Sequence, residues 1–590
     1  MIQNNKFIYR LNSYIIITLT IFVFSSIIFM INKGYDFSDE GALLLAYDNI
    51  QEYKGGVLNH HLIFHYFFGF FAYNVFLIRV LNFVFFFFIS VFFANEIKKY
   101  LINKWGEDFQ LSKLSTFCLV LISVYIYYFL GFHTFSYNSF VHVFLIFFVG
   151  VILRLLLEIN LTQNVSFKSF FLVFLLGFVI GICFFIKFSS SLLFLTFTFF
   201  YFFIFLFFRK KYLLFFKLSF FIILGLIISF VFFFTEIQEY ITWKVNFKNE
   251  INFLTTHRPF ELLLQYFFQL KHLFLFTLKY FSWLILLIYS FNYFGKKQRF
   301  ISILFSLSFL IFELFYFKFY QSTFAIKPWY NAYLYIIIIF YFVFYTSIKN
   351  KFWINIKSSL INFDVYILIL FISAPFLAAL GTANPIFLNC LWHGTTWILL
   401  SFFFFYNSYL KTRKYYYLVG FFTVLFFTST QIIDGNLIHP YFTLSFNYGK
   451  VSTGFEQKFE VQNTKLKGIL VDKDTKDVIE GLSEIYRKNH FGPKTPTIGF
   501  FIPGLIYAVD GISPYTYYYY NLPRDSIAII NSTINNKLVM LVTDQTPVSN
   551  VIKNALMTKN IDYPNDFLLI DSVYYPRFST YLKVLNLSKK

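Results

Sequence analysis

The sequence predicts a polytopic α-helical membrane protein of about thirteen transmembrane helices, followed by a small α/β soluble domain. Three observations lead there. Of 590 residues, 58% are hydrophobic and only 13% charged, a composition far from that of soluble domains. The apolar residues fall into runs near the roughly 20 residues that cross a bilayer, separated by short polar breaks. From about residue 434 this density drops, and Pro440, Gly449, Gly492, Pro493, Pro496, Pro503 and Gly504 punctuate shorter segments. The chain thus divides into a membrane domain, 1–433, whose acidic first outer loop covers 32–60, and a second domain, 434–590.

Taken in order, the span centres fall near 22, 84, 122, 148, 178, 199, 225, 283, 309, 339, 370, 400 and 422. The first run, about 14–31, follows Lys6 and Arg10 and has no small-x-small cleavage site behind it, so it reads as a retained span. Residues 61–94 are too long for one ordinary span. Segments 39–53 and 60–72 are expected to be helices at the outer interface, with the true second span starting near Asn74.

Lysine and arginine set the orientation. With the N-terminus inside, Lys98, Lys99, Lys104 and Lys113 share one face with Lys168, Arg209, Lys210, Lys211, Lys296, Lys297, Arg299, Lys349, Lys351, Lys357, Lys411, Arg413 and Lys414. The acidic loop and everything after Ile433 fall on the other, extracytoplasmic face. In the second domain, Asp474–Asn489 and Ser549–Thr558 read as helices, and Thr497–Ile502, Lys537–Thr543 and Phe567–Val573 as strands. It carries no Gly-x-Gly-x-x-Gly and no P-loop, so nucleotide binding has no support.

Composition excludes other classes. The net charge of +20 sits in loop clusters without the motif spacing of a nucleic-acid module. The three cysteines, Cys118, Cys183 and Cys390, fall in or beside spans and define no disulfide framework. With 95 phenylalanines, aromatic number alone marks no stacking platform.

The chemistry concentrates in Gly34-Tyr35-Asp36-Phe37-Ser38-Asp39-Glu40-Gly41. Carboxylates beside a bilayer are costly unless water, a cation or a reaction engages them. The same residues also make a helix start, with Ser38 as N-cap and Asp39 and Glu40 in the first turn. Neighbours on a helix point about 100° apart, so Asp39 and Glu40 do not face one atom. Asp36 can share a face with either. That geometry leaves room for a divalent cation, although no cofactor is fixed by the pattern.

An Asp-Glu pair after the first span, the His-rich segment Asn59-His60-His61-Leu62 and the Leu77-Ile78-Arg79 opening of the second span together resemble the GT-C superfamily. These polytopic glycosyltransferases, among them protein O-mannosyltransferases and lipid A aminoarabinose transferases, use sugars carried on polyprenyl phosphate. Asp39 and Glu40 match the acidic pair, His60 and His61 the His-Pro-Pro-Leu-like segment without its prolines, and Arg79 the arginine. The stretch from Gly177 through Gly181 to Lys187 looks like a Gly-rich fifth span ending in lysine.

The resemblance implies transfer of a sugar from a polyprenyl-phosphate donor to a glycan, lipid or protein acceptor. The reaction would be inverting, with Asp39 as general base, Glu40 and Asp36 in support, and Lys187 at the leaving phosphate. Arg79, His60, His61, His257 and Arg258 are the remaining substrate-binding candidates. The implied location is a cell membrane, a bacterial inner membrane on this resemblance, with a cell-envelope glycan, lipopolysaccharide or protein as the target. A flippase, or a polymerase or ligase for lipid-linked glycans, is the alternative. A carrier would be expected to show internal repeats with paired broken helices, and the sequence shows no such repeat.

Overall fold

Apolar runs nearly free of glycine and proline satisfy their backbone groups internally by forming helices, the one open-chain solution in a bilayer. The computed structural model describes residues 2–50, 52–53, 59–71, 74–106, 111–162, 165–233, 260–275, 332, 334–339, 343, 363–381, 384–441, 452–532, 537–575 and 579–588. Among these residues, eight helices are long and apolar enough to cross a membrane, nine if one bent pair counts as a single span. The protein is therefore polytopic and helical. The expected spans near 283 and 309 lie outside the described residues.

The order is α1 (Ile2–Met30), α2 (Asp39–Asp48), α3 (His60–Phe68), α4 (Val75–Trp105), α5 (Lys113–Val124), α6 (Tyr137–Leu161), α7 (Phe167–Ile186), α8 (Phe188–Phe207) and α9 (Tyr212–Phe233). After 260–275, itself helical, come α10 (Phe363–Ala379), α11 (Ile386–Trp392), α12 (Thr395–Thr412) and α13 (Tyr415–Leu437). The bent pair is α11 and α12, which meet at 74°. The short helices α2 and α3 fall where the sequence places interfacial ones, and α4 starts at Val75 behind Asn74, whose side chain caps it. Ser112, Ser136 and Ser166 cap α5, α6 and α7 in the same way.

Contacts sort the helix ends. Lys104 pairs with Asp364, Trp105 bonds Asn407, and Arg209 bonds Asn160, so the lysine-bearing ends gather together. At the opposite end the backbone N–H of Asn59 donates to Phe185 O, Tyr47 reaches Phe135 O, and Asn436 reaches Tyr128 O. The acidic loop lies at this second end.

The C-terminal residues add β1 (Phe459–Glu460), β2 (Leu470–Val471), α14 (Lys473–Lys488), β3 (Thr497–Gly499), α15 (Pro503–Ala508), α16 (Pro523–Asn531), β4 (Val539–Thr543), α17 (Asn550–Met557), β5 (Phe567–Tyr575) and β6 (Thr580–Leu587). β3, β4, β6 and β5 form one sheet in that order, with β3 parallel to β4 and the other pairs antiparallel. The parallel pair requires a long crossover, which α15 and α16 occupy. Side chains alternate faces along a strand. In β4, Val539 and Leu541 join the hydrophobic core that runs on into the helical bundle, while Met540 and Val542 join a second core confined to the tail.

The expected strand 497–502 stops at Gly499, because Phe501 adopts a left-handed φ of 63° and Pro503 opens a helix. Strand β6 was not foreseen. Its partly polar sequence gives a weak alternation, and pairing with β4 and β5 decides it.

The tail grips the acidic loop by backbone contacts. Leu470 O accepts from Gly34 N at 2.7 Å and Leu470 N donates to Asn32 O at 2.8 Å. Phe37 O accepts from Gly504 N at 2.8 Å, and Tyr35 donates to Gly504 O at 2.8 Å. Helices α2 and α15 touch where both carry glycine, and a Cβ on Gly41 would stand 2.2 Å from Gly504 Cα. Gly41→Val should therefore separate the tail from α2. Limited proteolysis of the purified full-length protein should release the tail faster than from wild type, and unchanged protection would count against this contact.

Candidate active site

The acidic loop begins where α1 ends. Gly34, at φ 73°, turns the chain in a conformation that suits glycine. The freed carbonyls of Ile31, Lys33 and Gly34 then accept from the Arg79 guanidinium at 3.3, 3.1 and 2.8 Å. Arg79 also grips Glu40 with two nitrogens, Nε to Oε1 at 2.8 Å and Nη2 to Oε2 at 2.7 Å. Thr134 donates to the same carboxylate. Both partners are buried, with side chains 2% and 5% exposed. Such a fork is geometrically specific and charge-assisted. Glu40 is thus a structural anchor turned into the bundle.

Asp36 takes the capping work expected of Ser38, which makes no side-chain cap. Its carboxylate accepts from Ser38 N at 3.1 Å, Ser38 Oγ at 2.7 Å and Glu40 N at 2.9 Å. Burial, with the charge of Asp39 nearby, pushes Asp36 up to about 7.

Asp39 differs from both. It remains accessible at the surface although protein surrounds it, as for a side chain lining a concavity. Desolvation raises its pKa, opposed by a hydrogen bond from Tyr441 Oη to Oδ2 at 2.5 Å. Tyr137, at the start of α6, and Asp36 lie within reach of its charge. Of the three carboxylates clustered at 36–40, one is therefore open. Among the described residues no group of three or more metal-ligating side chains is arranged to hold an ion, since Arg79 engages Glu40 and loop amides engage Asp36.

His60 and His61 are buried at the start of α3. The His60 ring lies 6.1 Å from Tyr137, 5.7 Å from His61 and 6.3 Å from Tyr517. Neither ring nitrogen of His60 has a hydrogen-bond partner, and burial holds its pKa well below the usual range, so the ring is neutral. A neutral imidazole can donate to or accept from a hydroxyl.

Lys187 sits at the break between α7 and α8. The lysine expected at the leaving phosphate is buried, 7% exposed, and donates to Ala378 O at 2.6 Å. His257 and Arg258 lie outside the described residues. Gln269, in the helical segment 260–275, accepts from Ile386 N at 2.6 Å, joining that helix to α11. A recess of about 480 Å³ on α8 and α9, lined by Leu195, Thr196, Phe199, Phe200, Phe203 and Phe215, is apolar and away from the carboxylates.

Sequence reasoning missed Tyr441, Thr134 and the tail tyrosines. The run Tyr517-Tyr518-Tyr519-Tyr520 was the available signal, masked by the aromatic bias of the whole chain.

Removing Arg79 would leave Glu40 buried and unpaired, a cost of about 3–5 kcal/mol. Arg79→Ala should lower the melting temperature of the purified protein markedly. Arg79→Lys should rescue little, because an ammonium cannot span both oxygens and the three carbonyls. A wild-type melting curve for Arg79→Ala would refute the anchoring role.

No family model, curated protein or solved structure matches the chain.

Proposed function

We propose that the chain is an integral-membrane glycosyltransferase. It moves a sugar from a polyprenyl-phosphate donor to a glycan, lipid or protein acceptor at the extracytoplasmic face of a cell membrane, with inversion at the anomeric carbon. In this reading the membrane domain has about thirteen spans, and residues 434–590 form an extracytoplasmic α/β domain that closes over the acidic loop.

One observation carries the reading: Asp39, the one accessible carboxylate of the 36–40 cluster, with its basicity raised by desolvation, stands beside the phenols of Tyr441 and Tyr137, and an unpartnered neutral histidine, His60, packs against Tyr137. A raised carboxylate pKa suits a general base working near neutral pH. Asp39 takes the proton of the acceptor hydroxyl or amine as the acceptor attacks the anomeric carbon, and the phosphate leaves with the bonding electrons. Tyr441 holds the carboxylate and yields its place to the acceptor. His60 is positioned for a sugar or acceptor hydroxyl. Lys187 is the cation offered to the leaving phosphate.

The bent pair α11 and α12, with buried His393 at the bend and Lys187 within its electrostatic reach, supports a second reading. Broken helices with buried polar groups also build carrier sites. A flippase would move the lipid-linked sugar across proteoliposomes without an acceptor, and Asp39→Asn would leave that movement intact.

The deciding experiment incubates purified protein with radiolabelled polyprenyl-phosphate sugars and candidate acceptors. Asp39→Asn should cut transfer about a hundred- to ten-thousand-fold while donor binding persists, and Lys187→Ala should weaken donor use. Full transfer by Asp39→Asn would end the assignment. The pH profile adds a signed test. The base must be ionised, so transfer should fall as pH drops, with an acid limb above the ordinary aspartate range. Tyr441→Phe removes the bond that holds the Asp39 pKa down, so the limb should move to higher pH. A shift to lower pH would contradict this.

A further inference from the structure

The tail brings three aromatic rings to the edge of the Asp39 site. Tyr518 and Tyr520 stack at 4.1 Å and 23°. Phe501 meets both edge-on, at 6.5 and 5.9 Å. Tyr518 lies within electrostatic reach of Tyr441, and Tyr520 of Tyr137, the two phenols beside Asp39. The stack therefore adjoins the open carboxylate.

Tyr518 is itself buried, but two independent features set the rest of the cluster apart from core packing. Phe501 remains 44% exposed and holds a left-handed φ of 63°, a costly conformation for a bulky residue that gathers at functional sites. The segment bearing the tyrosines is also rigidly held. Buried Asp525 accepts from Tyr520 N at 2.7 Å and Leu522 N at 3.0 Å, and Tyr519 O accepts from Phe501 N at 3.0 Å. Tyr519 points the other way, into the tail's own core. Alternation along an extended segment thus sends Tyr518 and Tyr520 to one side and Tyr519 to the other.

We propose that Phe501 and Tyr520, backed by the buried ring of Tyr518, form a sugar-binding platform, which makes the tail a part of the substrate site. The C–H face of a sugar ring is weakly positive and lies well on the negative face of an aromatic ring. The ring's hydroxyls would then turn toward Asp39, Tyr441 and Tyr137, which supply acceptors and donors at the platform's edge. This chemistry fits a pyranose or furanose ring, either of the lipid-linked donor or of a glycan acceptor. The inference rests on the transferase reading for the identity of the ring's carrier.

The test uses full-length purified protein and three probes: a short-prenyl phosphate bearing a hexose, the same prenyl phosphate without sugar, and a panel of methyl glycosides. Phe501→Leu and Tyr520→Leu keep bulk and lose the ring, while Phe501→Tyr and Tyr520→Phe keep it; melting curves verify that each variant folds. Ring loss should weaken the sugar-bearing probes about ten-fold, the scale of one or two stacking contacts. It should leave the bare prenyl phosphate unchanged, and ring-keeping variants should bind like wild type. Selective loss on the prenyl-phosphate hexose assigns the platform to the donor, and selective loss on methyl glycosides to the acceptor. Equal losses with and without sugar, no loss with any sugar, or no sugar binding at all would overturn the proposal. Ring-dependent glycoside binding by a protein that transfers no lipid-linked sugar would support the platform and sink the transferase. Normal transfer by the ring-loss variants, with unchanged sugar binding, would do the reverse.

Discussion

The acidic loop depends on one buried ion pair. Arg79 holds the turn that follows the first helix by taking its carbonyls and with the same guanidinium holds Glu40. A desolvated charge pair of this kind contributes little net stability, but it is strongly specific in geometry. Because Glu40 is drawn inward, the preceding residue on α2 faces another direction. Asp39 is accessible for that reason. The pair thus converts three neighbouring carboxylates into three distinct groups: one anchor, one cap and one open side chain.

The tail extends this logic. Its sheet is sandwiched between two cores, and alternate residues of β4 serve each. One face continues the interior of the bundle, so the C-terminal segment behaves less like an appended module than like a last layer of the bundle. Several of its contacts with the loop run through backbone atoms at Gly34, Phe37, Leu470 and Gly504, beside the side-chain bonds of Tyr35 and Tyr441. Backbone contacts of this sort tolerate side-chain change but not displacement, which suits a surface that holds the loop in register.

Much of the helical frame was legible because hydrophobic run length and lysine placement are strong, local signals. The interfacial helices α2 and α3 and the start of α4 follow from Asp39, His60 and Asn74. The division of labour in the acidic loop was only half legible. Ser38 and Asp36 are both good capping residues, and choosing between them needs the turn geometry that puts Asp36 over the amides of Ser38 and Glu40. The burial of Lys187 was not legible, because sequence alone does not reveal the Ala378 carbonyl, which comes from a distant helix. The tail tyrosines were hidden by abundance: in a chain where 25% of residues are aromatic, composition cannot distinguish a ring that packs from one that binds.

The glycine-to-glycine contact between α2 and α15 joins residues far apart in the chain, and the neighbouring Tyr35 bond to Gly504 spans 469 positions. Ribosomes make Gly504 long after the acidic loop has left them. The loop can reach its final shape only when the late-made segment has settled onto it. The contacts that close the loop are thereby postponed to the end of synthesis, and a truncated chain would lack the partners of Gly34, Tyr35 and Phe37.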